Sequence, residues 1–562
     1  MCPKIFTFAQ KMNPATTLQT LRWFVRTSRG IRLRSVANTL TGVIGVVLDF
    51  AFIWATKRCI DTATHQADGS LTESALLLGI VMAAVILLGF TRNWLAAILG
   101  VQSTNKIQLR MFETVLGSVW LGRDRQHTGD TMNRLDRDVR DVTSVISNTL
   151  PQFLIVSVRL VGAFVFLCVY DARLACLLTV ITPLFIVLSK YYVRRMRALT
   201  RDIRKTDSEI QSIIQESLQH RVMLKTMEQE DSIVERLGLS QQSLSDQIRY
   251  RTRFSSVSNA LLSTGFSAGY LIAFLWGAWR LEQGLITYGM MLAFIQLVGQ
   301  IQGPFRDMTR FIPTLISSLT AGERLMELEQ LPQEETGEAV RFTGGCGIRL
   351  KDLSYAYDED YRLIINRLSY DFPPGSITAV LGETGAGKTT LIRLILALLP
   401  PMKGRVEFYD GNVSVKASPR TRCNLVYVPQ GNSLLSGTVR SNLLLGRPDA
   451  TDSEMWDALT LAEAGFVKES DEGLDLPVGE GGQGLSEGQA QRIAIARALL
   501  RPGRVVLLDE ATSALDEETE TRVLDNLMGR NAESPVPYTV ICVTHRPAVT
   551  AHCTQMLRLK RQ

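Results

Sequence analysis

Six apolar runs, at about residues 36–57, 75–99, 149–170, 173–193, 257–280 and 284–303, mark the first three hundred residues of the chain. Each approaches the roughly 20 residues that a helix needs to cross about 30 Å of hydrocarbon. One such run would also suit a buried helix of a soluble protein, but six in series predict a membrane half of six transmembrane helices. Beyond about residue 345 the pattern changes. Short apolar runs such as Ile377–Leu381 and Val505–Leu508 read as buried parallel strands, and Leu391–Leu399 reads as a helix, so this half is predicted to be an α/β domain. The helical stretch from Ala321 stops at Pro332, and the polar tract Gln333–Glu338 reads as a linker. The predicted organisation is a transmembrane domain over 1–330, a linker over 331–345 and the α/β domain over 346–562.

Charge sets the orientation of the membrane half. Lys106, Arg110, Arg123, Arg125, Arg134, Arg137 and Arg140 lie between the second and third runs, and Arg194, Arg195, Arg197, Arg201, Arg204 and Lys205 lie between the fourth and fifth. The third and fourth runs are joined by little more than Asp171-Ala172-Arg173. Positive charge favours the cytoplasmic side, so both termini and the α/β domain are predicted to be cytoplasmic at a cell membrane. The two basic loops are long, about 50 and 60 residues, and of helical composition, which predicts spans that continue as helices into the cytoplasm and turn there. Thr17–Arg34 mixes Leu18, Leu21, Trp23, Phe24 and Val25 with five arginines, the composition of an amphipathic helix lying at the membrane surface.

The net charge of +6 gathers beside the apolar runs and not in a stripe interleaved with aromatics, so membrane lipid is the expected partner and nucleic acid is not. Eight scattered cysteines without a CxxC pair indicate neither a disulfide framework nor a zinc site. The N-terminus carries no signal-peptide core, and the first span is expected to act as the targeting signal. Asp49 and Arg159 fall inside apolar runs at matching depth, about 16–18 Å below the outer surface. They are expected either to pair structurally or to line a substrate path.

The chemistry centres on Gly382-Glu383-Thr384-Gly385-Ala386-Gly387-Lys388-Thr389, which fits the phosphate-binding loop pattern and sits in a strand-to-helix turn. In that position backbone N–H groups and the positive end of a helix can surround phosphate oxygens, with Lys388 on the terminal phosphates, Thr389 on Mg²⁺ and Thr390 following in the first helical turn. Val505–Leu508 ends in Asp509 and Glu510. At the carboxyl end of a buried strand the first carboxylate would hold Mg²⁺ through water, and the second would polarise a water beside the γ-phosphate. Tyr355 and Tyr357 alternate in a strand pattern, which suits two ordinary strand aromatics as well as a Tyr357 that stacks on an adenine ring. ATP and Mg²⁺ are therefore the expected ligands.

Leu485-Ser486-Glu487-Gly488-Gln489, ahead of the helical Arg492–Leu500, resembles the signature motif of ATP-binding cassette ATPases. The resemblance extends to Gln430 after Val426-Tyr427-Val428-Pro429, to Ser513-Ala514-Leu515-Asp516, to His545 in Val543-Thr544-His545-Arg546, to Tyr357, and to Val478-Gly479-Glu480, which is similar to a loop found in exporters. The membrane half resembles the six-helix exporter domain of that family in half-transporter arrangement. Gly129-Asp130, Asn133-Arg134-Leu135 and Asp138-Val139 match its first cytoplasmic loop, and Lys225-Thr226-Met227 with Glu230 its second.

The resemblance implies Glu510, His545 and Gln430 as catalytic residues, with Gln430 also at the metal beside Thr389 and Asp509. Ser486, Gly488 and Gln489 would contact the ATP held by a second subunit. Two positions depart from the family: Glu487 stands where glycine is usual, and Gly431 where an acid is usual.

The expected function is ATP-driven export or flipping of a hydrophobic or amphipathic substrate by alternating access. The alternatives are an ATP-gated channel or regulator on the same fold, or a soluble cassette ATPase. The expected partner is a second half-transporter, with a homodimer favoured over a heterodimer because Glu487 is a mild departure within the signature. The cargo is a small molecule, lipid or peptide.

Overall fold

The computed structural model describes every residue except 1–13, 121–127, 358–362, 412, 547–549 and 562. Its chain divides into two compact units, Met1–Phe112 with Asp130–Glu329, and Glu113–Gly129 with Gln330–Gln562.

The first unit is helical. It comprises α1 (Pro14–Thr27), α2 (Arg32–Ala63), α3 (Leu71–Leu116), α4 (Leu150–Tyr170), α5 (Ala172–Gln219), α6 (Glu230–Glu282) and α7 (Tyr288–Glu329). The chain leading into α4 is also helical, with π-helical turns at Arg134–Asp138 and Val145–Thr149. Each of the six apolar runs lies within these helices, the last entering α7 at Tyr288. Among the described residues, Arg32–Ala63, Leu71–Leu116 and Gly129–Tyr170 are long and apolar enough to cross a membrane. At about 1.5 Å per residue, α5 and α6 run roughly 70–80 Å, far beyond the hydrocarbon thickness.

Apolar side chains of α7 (Phe294, Leu297, Val298, Ile301) interlock with Ala163 and Leu167 of α4, Leu174 of α5 and Ala273 of α6. Polar ties fix the helix ends around this core. Asp171 accepts from the N–H groups of Arg173 (3.0 Å) and Leu174 (3.2 Å) at the start of α5, and from Trp276 Nε1 (2.9 Å) and Arg280 (3.0 Å) of α6. Asp61 at the end of α2 accepts from Gly289 N at 3.0 Å and pairs with Lys57 at 3.0 Å. Inside the apolar stretch, Arg159 of α4 donates to Asp49 Oδ2 of α2 at 2.8 Å.

The N-terminal amphipathic helix differs from expectation. Trp23 and Phe24 of α1 are buried, Phe24 lies against Gly322 of α7, and Trp23 Nε1 donates to Glu329 Oε2 at 2.5 Å. Trp23 and Phe24 thus pack on α7, where Gly322 leaves room for an aromatic ring. Val25 and Leu33 remain exposed.

In the second unit a four-stranded antiparallel sheet has the order β2-β1-β4-β5, formed by β1 (Gly347–Tyr355), β2 (Ile365–Phe372), β4 (Lys403–Asp410) and β5 (Val413–Lys416). A five-stranded parallel sheet contains β3 (Ile377–Leu381), β6 (Leu425–Val428), β7 (Val505–Asp509), β8 (Thr539–Val543) and β9 (Gln555–Arg558) in the order β9-β3-β8-β7-β6. Between the two sheets lies α8 (Lys388–Ile395), whose Leu391, Ile392, Leu394 and Ile395 are buried with residues of both. On the other face α9 (Glu487–Leu500) and α10 (Glu517–Glu533) help to close a second apolar core.

The tract read as a linker is strapped to this body. Arg422 holds the Glu334 carboxylate with two bonds of 2.7 Å, Arg420 donates to Glu338 O at 2.8 Å, and Gln333 bridges to Ser118. Glu113–Gly129 therefore belongs with the α/β body although it lies in sequence between two membrane helices.

Replacing Asp49 by Asn leaves Arg159 without its acid in an apolar setting and should destabilise the protein by about 2 kcal/mol. The double variant Asp49→Asn/Arg159→Met should recover part of the loss. Thermal unfolding in detergent checks this, and strictly additive effects would contradict direct coupling of the pair.

Candidate nucleotide site

The parallel sheet assembles the site by register. Val380 of β3 and Asp509 of β7 both pair with Val543 of β8, and Leu508 of β7 pairs with Val428 of β6. Four strands consequently end at one level. The turn after β3, Gln430 after β6, Asp509-Glu510 at the end of β7 and His545 after β8 meet there.

Between β3 and α8 the backbone turns through Gly382, Gly385 and Gly387, at φ of +159°, +83° and +91°. Gly387 caps α8, and a Cβ there would lie 2.7 Å from Ile364 Cγ2, so both the left-handed backbone and the close packing require glycine. Ala386, Gly387, Lys388 and Thr390 are buried, whereas Glu383, Thr384 and Gly385 are exposed at the tip of the loop. Lys388 Nζ donates to the carbonyls of Gly382 (2.8 Å) and Glu383 (3.3 Å) and lies 2.8 Å from His545 Nε2. His545 Nε2 lies 3.3 Å from Glu510 Oε1, and Gln430 Nε2 donates to Glu510 Oε2 at 2.7 Å. Lys388, His545, Glu510 and Gln430 thus form one row of polar groups, each within 2.7–3.3 Å of the next.

Glu510 has φ of +49°, unfavourable for a side chain with a Cβ, and its N–H donates to Val543 O at 3.0 Å. The left-handed residue breaks the strand alternation and turns the carboxylate toward Gln430 and His545.

Asp509 is buried. Thr389 Oγ1 donates to its Oδ1 at 3.5 Å, and among the described residues its Oδ2 is buried without a hydrogen-bond partner. Burial pushes the Asp509 carboxyl above its ordinary value, and the adjacent Glu510 carboxylate adds to this. An orphaned carboxylate oxygen beside a threonine hydroxyl suits a hard divalent cation with oxygen ligands, so the residues present fit Mg²⁺.

Tyr357 OH lies 3.4 Å from Thr390 Oγ1 and accepts from Arg393 at 3.1 Å. The Arg393 guanidinium in turn sits 4.6 Å from the Trp120 ring centroid.

Ser486, Gly488 and Gln489 stand apart. Ser486 caps α9, accepting from Gln489 N at 3.2 Å while Gln489 Oε1 accepts from Ser486 N at 2.9 Å. Gly488 abuts the turn after β7: a Cβ would meet Ala514 O at 3.0 Å. Among the described residues none of these three shares a hydrogen bond with the phosphate loop. The two departures have local reasons. Glu487 is exposed in the first turn of α9, where a negative charge complements the helix N-terminus. Gly431 has φ of +75°, a conformation that disfavours an acid there.

Residues to which the motifs assign no role hold the site in shape. Gln491, buried on α9, accepts from Ala514 N at 3.0 Å and reaches Glu510 O at 3.4 Å. Buried Glu520 accepts from Thr512 Oγ1 (2.6 Å) and from Arg546 (2.8 Å), while Arg546 also donates to Leu515 O (3.0 Å) and Ser513 O (2.7 Å). Asn432 donates to Gly481 O at 2.7 Å and ties the segment after Gln430 to Val478-Gly479-Glu480. A polar Gln491 amid the apolar Ala490, Ile493 and Ala494 was a visible signal. Glu520 carries none, because exposed helices use the same residue type.

A helical membrane unit and a phosphate-loop unit with paired strand-end carboxylates, fused in one chain, define a membrane transport ATPase. The sequence matches the family model of the ABC transporter transmembrane region over residues 36–305 and that of the ABC transporter over 365–513. The chain belongs to the ATP-binding cassette exporters, in half-transporter form, and couples ATP hydrolysis to transport.

Among curated relatives, it is 27% identical over 508 residues to a serine protease/ABC transporter B family protein of Dictyostelium discoideum, covering 90% of this chain but only 29% of that one. It is 24% identical over 566 residues to ATP-dependent lipid A-core flippase 1 of Colwellia psychrerythraea, covering 97% of this chain and 92% of that one. Among solved structures, a bacterial Atm1-family ABC exporter with ATP bound shares the fold, with a TM-score of 0.76 at 22% identity over 94% of each chain.

The raised Asp509 carboxyl has a stability consequence. An acid whose folded value exceeds its unfolded value destabilises the fold once ionised, fully above the folded value and not at all below the unfolded one. Asp509→Asn should therefore raise the melting temperature of nucleotide-free protein in a chelating buffer at neutral pH, and the gain should vanish as pH falls below about 4. A loss of stability at neutral pH would contradict this account of Asp509.

Proposed function

We propose that this chain is one half of a dimeric pump that exports or flips an amphipathic molecule across a cell membrane by alternating access, with the nucleotide site on the cytoplasmic side. The observation that carries the reading is the linked row Lys388, His545, Glu510 and Gln430 at the strand ends, in a chain whose other unit is a bundle of membrane-length helices. The flippase relative acts on a lipid by its name, and an amphipathic cargo is consistent with that kinship.

In this reading ATP lies along Gly382–Thr390 with its adenine on Tyr357. Lys388, released from the Gly382 and Glu383 carbonyls, neutralises the terminal phosphates. Thr389, Asp509 and Gln430 would hold Mg²⁺, which supplies positive charge to the phosphate oxygens. Glu510 orients and takes a proton from the water whose oxygen bonds to the γ-phosphorus as the bond to the leaving ADP oxygen breaks. His545, beside both Lys388 and Glu510, senses the γ-phosphate. The closed and open forms then differ in their affinity for ATP, and that difference shifts the population.

Dimerisation is supported by Ser486, Gly488 and Gln489, which crown an exposed helix N-terminus and leave the chain's own phosphate loop without a second wall. It is supported too by the arm formed by α5 and α6, whose turn presents Val222 and Met227 at 79% and 60% exposure. A homodimer is the simpler assembly, because Glu487 points into solvent at the start of α9.

Glu510→Gln should keep ATP binding and abolish turnover, trapping a closed dimer, whereas Lys388→Ala should weaken ATP binding itself by about tenfold or more. Nucleotide binding and phosphate release by purified protein in lipid check both, and near-normal hydrolysis in the two variants would refute the site. Glu487→Gly should alter the ATPase rate of the purified chain alone by no more than about threefold. A chain that hydrolyses ATP only when a second half-transporter is added would instead mean a heterodimer.

A further inference from the structure

Charge inside the membrane unit does not balance. Across the apolar stretches of α2, α3 and α4, apart from Lys57, which pairs with Asp61 at the end of α2, there are one carboxylate, Asp49, and two guanidiniums, Arg159 and Arg92. Arg92 falls within the second apolar run and was legible in the sequence by the rule that singled out the other two. Asp49 engages one edge of Arg159, whose Nε is buried without a hydrogen-bond partner among the described residues. Arg92 makes neither a hydrogen bond nor an ion pair among the described residues, although Asp49 and Arg159 both lie within electrostatic range of it.

The packing shows where Arg92 reaches. A Cβ at Gly42 of α2 would lie 3.7 Å from Arg92 Nε and 2.1 Å from Ile155 Cδ1 of α4, so the Arg92 side chain crosses to α2 where a glycine admits it, at the level of Ile155. Arg159 stands one helical turn beyond Ile155 and Asp49 two turns beyond Gly42, so the two guanidiniums occupy successive levels about 5–10 Å apart. One excess cation in an apolar setting is costly unless an anion or water reaches it. A guanidinium with free donor edges is shaped to bind carboxylate or phosphate with paired hydrogen bonds, which a lysine could not do.

We infer that Arg92 and Arg159 form a binding site for the anionic head group of the transported amphiphile, a phosphate or carboxylate on an apolar chain, with Asp49 positioning Arg159. This rests on the transport reading above and adds the charge of the cargo.

The test uses the full chain in nanodiscs of zwitterionic phosphatidylcholine. ATPase stimulation and ATP-driven movement are measured for three fluorescent amphiphiles of one chain length, with phosphate, uncharged glycerol and quaternary ammonium heads, and stimulation is also measured with inorganic phosphate. The phosphate amphiphile should stimulate at a concentration about tenfold or more below the uncharged one. Arg92→Gln should remove that advantage, so that the phosphate and uncharged amphiphiles stimulate at the same concentration, and Arg92→Lys should restore part of it. Because Arg92→Gln removes no hydrogen bond or ion pair among the described residues, its melting temperature should not fall.

The inference is overturned if Arg92→Gln leaves the anionic response intact, if it weakens all three responses equally, or if it lowers stability, which would make Arg92 a structural partner of an acid on a second copy. Stimulation by inorganic phosphate as strong as by the phosphate amphiphile would also overturn it, since the site would then read a free anion. If no amphiphile of any charge stimulates or moves, the transport reading itself fails, an outcome distinct from an equal response to all three heads.

Discussion

The parallel register of β3, β8, β7 and β6 is the constraint on which the ATPase unit depends. Hydrogen bonding places Val380, Val543 and Asp509 side by side, and the phosphate loop, His545 and Glu510 follow directly from those strand ends. A shift of one residue in any strand would exchange the two cores into which its side chains pack and also displace its catalytic turn. The burial of all five residues in both β7 and β8 makes such a slip costly, so the apolar core enforces the chemistry.

Around that row, polar contacts hold the turns in unfavourable conformations. Glu510 is kept left-handed by its bond to Val543 O and by Gln491, which spans the turn from Glu510 O to Ala514 N. Arg546 follows His545 directly and clasps Ser513 O, Leu515 O and Glu520. A movement of His545 on meeting phosphate would therefore pull on the segment Ser513–Asp516, while Gly488 rests against Ala514 O from the other side. The signature helix, the turn after Glu510 and the His545 loop are thus mechanically joined within one chain.

In the helical unit the same economy of polar contacts recurs. Asp171 and Asp61 each gather donors from two helices at the ends of the bundle, where a carboxylate can be satisfied by backbone N–H groups and cations. Deeper in, glycines replace such ties. Gly162 admits Phe50 and Gly42 admits Ile155 and Arg92, and a Cβ at either position would collide. The helices are close where side chains are small and polar, and the charges enclosed there are few.

The sequence by itself determined the elements and most of the chemistry. Apolar run length is a local property, so the helices that carry the six apolar runs were legible, and so were the phosphate loop, Asp509, Glu510 and the family motifs, whose residues are close in the chain. Only the tertiary structure decided which of them touch. That Lys388 reaches His545 across 157 positions, that Gln430 bonds Glu510, and that Asp509 keeps an unsatisfied oxygen follow from strand order, which no local pattern encodes. The same holds for α1, whose amphipathic face suits lipid as well as protein until Gly322 of α7 is seen beneath it, and for Gln333–Glu338, polar like any linker until Arg420 and Arg422 are found holding it. Periodicity reports that a face must be covered, whereas the partner that covers it is set by long-range packing.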